Sequence, residues 1–508
     1  MLLPARTGAL ARARTGRAPS LSREVWILLA VTVMAAVLRI VALGSQSYWL
    51  DESQAAHELS LSFGSMLHAW NTSEWNPPLY LILAWPWAQL AGTGEVALRS
   101  LSALAGVAVV PLLYLSGREL VSRRAGLVAA GFAAVNPLMI GYSQQAREYM
   151  LMTALCTASL LCFARALHAP TGRRLGWWAA ISALALLTQY FAGFLIAAEG
   201  LALVARARSR ASVVALVSQA VVLAPLIPHV SPQLSRPAQF IVSQPLSLRL
   251  QQVPVAFALD TLYKGPLVSD GLLAAAGLAA AVIALLVVGA GDRELRGAGI
   301  AAALAGVVVL VPLVLALAGR DDFIARGLMP AWPPLAVTIA AACTARRARL
   351  AGGALAAVLV ALFVWGTVKI DRDAAYQNPD WRAVAAALGP ARGTRVIVAY
   401  DGQFATGPLS YYLPRAPWAG PGSSAAAAYR PVTITEIDVV GEQYDQRPRT
   451  LPAGVSLISA RAVAGYEVDR FALSAPRTTS PQAVLAGAGA LLAPPVQGSA
   501  AMIQRAPP

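Results

Sequence analysis

The sequence predicts an all-α polytopic membrane bundle of about eleven spans, carrying a small C-terminal α/β domain outside the membrane. Three observations predict it. Of 508 residues, 57% are hydrophobic and only 13% charged, with a mean hydropathy of +0.59; a soluble domain is roughly 25% charged. Apolar runs of spanning length recur from residue 25 to about 369. Beyond them the composition changes: Asp371, Arg372, Asp373 and Asp380 end the hydrophobic regime.

The first run, 25–44, follows Arg6, Arg12, Arg14, Arg17 and Arg23. It is long enough to cross about 30 Å of hydrocarbon and longer than the core of a signal peptide, so it reads as a retained span behind a basic cytoplasmic tail over 1–24. Further spans are expected near 101–116, 126–141, 150–167, 175–188, 190–205, 212–228, 268–288, 299–317, 328–344 and 351–369. Segment 76–92 is apolar but carries Trp85, Trp87 and Tyr80, and reads as lying along the outer interface.

Orientation follows from the basic residues. The formal net charge is +15, and only Lys264 and Lys369 are lysines. Alternate short loops assigned to the inside carry 19 Lys and Arg, against 7 for the outside set. This is the positive-inside pattern rather than a nucleic-acid patch. It places Asp51, Glu52, Arg147 and Asp322 on the outer face of a plasma membrane, with the N-terminus cytoplasmic. The membrane domain then spans 25–370. An odd number of spans puts an α/β domain over 371–473 outside, with strands at 395–400, 432–440 and 466–473 and a helix at 380–388. From Ser474 to 508, Pro, Ala, Ser and Gly dominate, the composition of a poorly ordered tail.

Polar groups amid apolar spans carry the functional signal. Asp51 and Glu52 follow the aromatic anchor Trp49 at the outer end of the first span. The run Tyr142-Ser143-Gln144-Gln145-Ala146-Arg147-Glu148-Tyr149 is a short outer loop rich in side chains that bind anions or sugar hydroxyls. Arg326, with Asp321, Asp322 and Phe323, forms another outer cluster. Arg39 lies inside the first span, where it can snorkel, pair with Asp51 or bind phosphate. Glu199 is an isolated intramembrane acid that could pair with Gln189 or face a cavity. Cys156, Cys162 and Cys343 sit in apolar runs as packing residues, and the four histidines have no metal-ligand spacing. No phosphate-cradling Gly-rich loop and no nucleophile elbow occur.

At these residues the chain resembles a known family. The runs Tyr48-Trp49-Leu50-Asp51-Glu52, Asn76-Pro77-Pro78-Leu79-Tyr80, Arg99 to Gly106, Ser143 to Tyr149 and Asp380-Trp381-Arg382 are similar to motifs of the polyprenyl-phosphate-sugar-dependent membrane glycosyltransferases of the C superfamily. That group includes the protein O-mannosyltransferases and the lipid A aminoarabinose transferase. The likeness covers most of 30–385. Two positions depart from the pattern: Asn76 stands where His or Lys usually precedes the Pro pair, and Gln145 where many relatives have Glu.

The resemblance implies a helical bundle with interfacial helices in the first outer loop, a sugar donor on a polyprenyl phosphate, and Asp51 as the first-loop catalytic aspartate. An inverting transfer to an acceptor hydroxyl is expected, with Asp51 as general base. Arg147, with Arg39 or Arg326, would neutralise the departing phosphate, while Glu52 and Gln145 hold hydroxyls. The expected catalytic pair is Asp51 and Glu52. The expected substrate-binding set is Arg39, Asn76, Tyr80, Tyr142, Gln144, Gln145, Arg147, Tyr149 and Arg326. No cofactor or metal is indicated. The acceptor is a protein, polysaccharide or lipid. The alternative is a transporter or lipid-linked-sugar flippase using Glu199, Arg39 and the outer acids as its path.

Overall fold

The computed structural model describes residues 22–234, 239–423, 430–442, 445, 447–492 and 498–506. All but the last three residues of the basic tail expected over 1–24 lie outside them. The membrane part begins with α1 (Arg23–Ile40), then three helices of the first loop, α2 (Leu50–Ser60), α3 (Phe63–Ser73) and α4 (Leu79–Ala91). Next come α5 (Glu95–Leu120), α6 (Arg123–Val135), α7 (Pro137–Ser143), α8 (Tyr149–His168), α9 (Gly172–Thr188), α10 (Ala192–Ala207) and α11 (Arg210–Leu223). The short α12 (Ile227–Leu234) and α13 (Gln239–Val242) lead into α14 (Leu246–Leu259) and a 3-10 turn, Asp260–Lys264. The bundle ends with α15 (Gly271–Gly289), α16 (Asp292–Leu317), α17 (Trp332–Cys343) and α18 (Arg349–Arg372).

Each of the eleven apolar stretches read from the sequence falls on a helix. Six helical segments, Glu95–Leu120, Tyr149–His168, Arg210–Ser231, Gly271–Gly289, Asp292–Leu317 and Arg346–Arg372, are long and apolar enough to cross a membrane. A seventh is the pair α6 and α7, bent by 56°. Among the described residues length and composition thus support six or seven spans, and the expected count of eleven is not confirmed. α9, α10 and α17 have 17, 16 and 12 residues, and at about 1.5 Å per residue none covers about 30 Å alone. α1 has 18 residues but carries Arg23, Glu24 and Arg39.

The long helices turn apolar side chains outward, as lipid-facing helices do: Leu273, Val287 and Val288 on α15 and Val314 and Leu317 on α16 are all more than 60% exposed. Inside the bundle, small residues let backbones meet. A Cβ on Gly117 of α5 would lie 2.8 Å from the Gly126 Cα of α6, a contact only glycine permits.

The C-terminal domain runs from α19 (Trp381–Leu388) through β1 (Arg395–Ala399), α20 (Gln403–Tyr412), β2 (Val432–Glu442), β3 (Val455–Val463) and β4 (Tyr466–Thr479) to β5 (Ala500–Gln504). The sheet order is β3-β4-β2-β1-β5; β1 and β2 are parallel and the other pairs antiparallel. Alternation along β1 divides the core in two. Ile397 and Ala399 pack under Trp381, Leu388 and Leu409, while Val396 and Val398 face Phe471, Val484 and Leu492.

The three expected strands and the helix are present, but the expected disordered tail is corrected. β4 runs to Thr479, a short helix covers Pro481–Gly487, and β5 closes the sheet edge against β1. A composition poor in large apolar residues is tolerated because β5 is held by ladder bonds and by Gln504 Oε1, which accepts from Arg395 at 2.9 and 2.6 Å. Arg395 is fully buried and also pairs with Asp438 at 2.6 Å.

This domain sits directly on the start of α2. The backbone N–H of Tyr48 donates to Tyr412 Oη (2.6 Å), and that hydroxyl in turn bonds Glu95. Ser47 Oγ donates to the Pro379 carbonyl (3.0 Å) and accepts from Trp381 N–H (2.9 Å). Arg382 pairs with Glu95 at 2.6 Å, and Trp418 stacks on His57 at 4.6 Å.

Candidate active site

Trp49, extended at φ −96°, caps α2, so Asp51 and Glu52 fall in its first turn. Carboxylates are favoured there by the unpaired N–H groups and the helix dipole. Successive helical residues point about 100° apart, and the two acids meet different surroundings.

Glu52 is 0% exposed. Its Oε1 accepts from Arg99 Nε (2.8 Å) and from the Ala146 N–H (2.8 Å), and its Oε2 from Arg99 Nη2 (2.7 Å). Arg99 gives its remaining N–H groups to the carbonyls of Leu43 (2.8 Å), Gln46 (2.7 Å) and Ser47 (3.1 Å). All five guanidinium hydrogens are spent. Glu52 therefore joins α2, α5 and the 144–148 turn. Three of the roughly four acceptor sites of the Glu52 carboxylate are taken by Arg99 and the Ala146 N–H, so in this structure it acts first as a joint between elements. The sequence names Arg99 only as the start of the Arg99–Gly106 motif, with no role of its own. The signal that could have found it is an arginine one turn into an apolar helix, which must be paired.

Asp51 faces the other way, with a quarter of its side chain exposed. Its Oδ2 lies 3.4 Å from Arg326 Nη1, and its backbone carbonyl accepts from Arg147 Nη1 at 3.2 Å. Arg326 also sits over the ring of Tyr149 (5.8 Å), which meets Tyr142 edge-on at 5.1 Å. Asp51, Arg147, Arg326, Tyr142 and Tyr149, far apart in sequence, are thus brought together.

Arg147 is 6% exposed and enclosed by carboxylates: Glu74 at 3.0 and 3.4 Å and Glu148 at 3.0 Å. Its charge is thus shared between Glu74 and Glu148 in this structure, and its Nη1 bond to the Asp51 carbonyl helps fix the start of α2. Glu148 accepts from Asn76 Nδ2 (2.8 Å), and Asn76 Oδ1 accepts from Gln189 Nε2 (2.8 Å). Burial raises the Glu148 carboxyl above its usual range, against the pull of Arg147. Glu58, one face of α2 further on, accepts from Gln54 (3.1 Å) and Ser73 (3.0 Å). Burial, with Glu74 nearby, pushes it up to about 8.

Four further expectations are resolved by packing. Arg39 is fully buried and donates to Ala133 O (2.7 Å), Ala134 O (3.1 Å) and Ser143 Oγ (3.1 Å). Pro137 breaks the helix after Asn136 and strands the last carbonyls of α6; Arg39 satisfies them. Its hydrogen bonds go to these atoms and to the Ala35 carbonyl, and not to Asp51. Gln144 Nε2 likewise closes the end of α1 on Leu38 O (3.2 Å) and Arg39 O (3.4 Å). Tyr80 is buried in the first-loop cluster with Tyr48, Leu59 and Met66. Glu199 pairs not with Gln189 but with Trp178 Nε1 (2.8 Å) and Ser159. Among the described residues no group of three or more His, Cys, Asp or Glu is placed to hold a metal.

Residues 75–231 match the family model described as dolichyl-phosphate-mannose-protein mannosyltransferase. None of the curated proteins matches. Among solved structures, ArnT from Cupriavidus metallidurans in the apo state aligns at TM-score 0.54 and 14% identity, covering 88% of this chain and 98% of that one. The same protein bound to undecaprenyl phosphate aligns at TM-score 0.51 and 15% identity over the same shares. The chain shares the fold of ArnT. The matched segment holds Asn76, Arg99 and the whole Gln144–Tyr149 turn, so the glycosyltransferase likeness falls on the residues that surround Asp51.

Proposed function

We propose that the chain is an inverting glycosyltransferase that moves a sugar from a polyprenyl-phosphate donor to an acceptor hydroxyl at the outer face of the plasma membrane. The observation that carries this reading is Asp51: a part-exposed carboxylate 3.4 Å from a guanidinium that is itself 23% exposed, on a helix whose other acid is sealed. Transfer needs a base for the acceptor hydroxyl and positive charge for the departing phosphate. Asp51 supplies the first. Arg326 supplies the second, with Tyr142 and Tyr149 walling the approach. The leaving lipid phosphate is a weak base and needs no strong general acid. The N-terminus lies in the cytoplasm and the sheet domain outside, in keeping with the Arg-rich loops. The fold likeness and the matched family segment support the same chemistry.

The acceptor is a protein, polysaccharide or lipid hydroxyl. The transporter reading loses support because Glu199 and Arg39, the two intramembrane groups of its path, are closed in bonds to Trp178, Ser159 and α6. The test is turnover of a polyprenyl-phosphate sugar by the protein reconstituted in lipid, with product stereochemistry read by NMR. Wild type should release polyprenyl phosphate and invert the anomeric centre; an Asp51→Asn protein as active as wild type would refute the assignment. Cells lacking the protein should accumulate the lipid-linked sugar, visible by mass spectrometry.

A further inference from the structure

The sequence cluster around Arg326 holds two residues that the proposed chemistry does not use, Asp321 and Phe323, and both answer to a buried arginine on α14. Arg249 lies in the first turn of that helix and is 4% exposed. Its Nη1 donates to Asp321 Oδ1 (2.7 Å) and to the Phe323 carbonyl (2.6 Å), and its Nη2 closes a fork on Asp321 Oδ2. Its Nε donates to the Gln244 carbonyl (3.0 Å). One guanidinium thus claims both oxygens of Asp321, and the bond it gives holds that carboxyl below its ordinary value.

The place of Asp321 in the chain gives this fork its meaning. α16 ends at Leu317 and α17 begins at Trp332. The connection between them carries Arg326 in a 3-10 segment, Ala325–Ala331. Among the described residues, the hydrogen bonds that tie 321–324 to another helix are those from Arg249. The rest are local, such as Phe323 N–H to Asp321 Oδ1 (3.2 Å) and Gly327 N–H to the Ile324 carbonyl (3.0 Å). α14 is itself fixed, because the Phe257 carbonyl accepts from Asn136 Nδ2 (3.0 Å) and Trp332 Nε1 (3.3 Å). Beyond Arg326, Gly327 lies against Phe191, so closely that a Cβ there would stand 2.7 Å from the ring. The connection is therefore gripped on both sides of Arg326.

Such a grip matters because a charge that acts in a transition state must be in place before the reaction begins. A shift of about 1 Å in a positioned group can cost about 10²-fold in rate. Connections between helices are the less firmly held parts of a fold, so an arginine that works from one needs support from a rigid element. The planar fork of Arg249 meets that need in a way a lysine ammonium does not, since it reaches two carboxylate oxygens and a carbonyl at once. We propose that Arg249 is a positioning residue for Arg326, its fork on Asp321 and the Phe323 carbonyl setting the Arg326 guanidinium against Asp51. This rests on the reading of Arg326 as the charge that meets the departing phosphate. Arg249 spends its own hydrogen bonds on the frame.

The experiment is a double-mutant cycle on the full-length protein in lipid, with turnover of a polyprenyl-phosphate sugar as the readout. Arg249→Lys should lower kcat about tenfold to a hundredfold with KM little changed. In an Arg326→Gln background the same substitution should add no further loss, because the group it aims is gone. Asp321→Asn keeps the side-chain shape, weakens the fork and should give the same pattern; it serves if Arg249→Lys fails to fold. Equal losses in both backgrounds, or wild-type turnover in both variants, would overturn the positioning role. A second readout needs no activity: the rate at which phenylglyoxal modifies Arg326, followed by peptide mass spectrometry, should rise several-fold in either variant. An unchanged rate would also overturn the role. If wild type shows no turnover while that rate still responds, the transferase reading falls and the hold of Arg249 on Arg326 stands; turnover with an additive cycle does the reverse.

Discussion

The two faces of the first turn of α2 carry the same chemistry and have opposite fates. On one, Glu52 is locked into Arg99 with no exposure, accepting three hydrogen bonds. On the other, Asp51 keeps a quarter of its side chain open and meets Arg326 at a loose 3.4 Å. A carboxylate whose partner is saturated serves the frame, while one whose partner still faces water is open to act as a reagent, the role proposed for Asp51. The same division separates the arginines: Arg39, Arg99 and Arg147 hold the frame, while Arg326 stands at the opening.

Substitutions break this contrast in a graded way. Asp51→Asn should lower turnover by about 10³-fold or more, within the range of a lost general base, while thermal unfolding shows an unchanged midpoint. Glu52→Gln should do the opposite. Stranding the Arg99 charge in the interior costs about 3–5 kcal/mol, read in denaturant titration, and the double change Glu52→Gln with Arg99→Met should recover part of it. Arg326→Gln should reduce kcat/KM about 10²-fold, the scale of one lost transition-state donor, with stability intact.

A fourth test is smaller. Burial pushes Asp260 up to about 7, against the pull of Lys264. The folded chain therefore keeps a proton that the unfolded chain has lost between its ordinary value of 3.8 and about 7. Stability should fall as pH rises through that window and level off above it, and Asp260→Asn should flatten the slope in thermal melts from pH 4.5 to 8. Smallest of all, Arg382→Ala removes an ion pair whose arginine is half exposed, and should cost at most about 1 kcal/mol.

Much of this was legible in the sequence, for reasons that particular residues make plain. Apolar runs mark their helices because lipid demands it, and the motif around Asp51 draws attention because adjacent acids at a membrane are costly. The assignment of roles was not legible. Asp51 and Glu52 look alike in a sequence, and only the 100° step between them decides which meets Arg99. Arg39 invited a phosphate because the carbonyls it satisfies exist only once Pro137 has broken a helix. α14 went unseen inside 229–267 because Pro254 and a polar start mask its periodicity, and with it went Asp260. β3 escaped because its hairpin turns on Ala464 and Gly465, both at positive φ, where Asn-Gly is the usual signal. β5 escaped because its closure depends on Gln504 reaching Arg395, a contact 109 positions away.

The grip of the sheet domain on Tyr48, Ser47 and Glu95 has a further meaning. The helix that bears Asp51 is clamped between the apolar bundle and the sheet domain, so its aim is set by both. An antibody fragment that pries the lobe away would silence the enzyme without touching its substrates, and shortening the chain at residue 371 would remove the clamp itself.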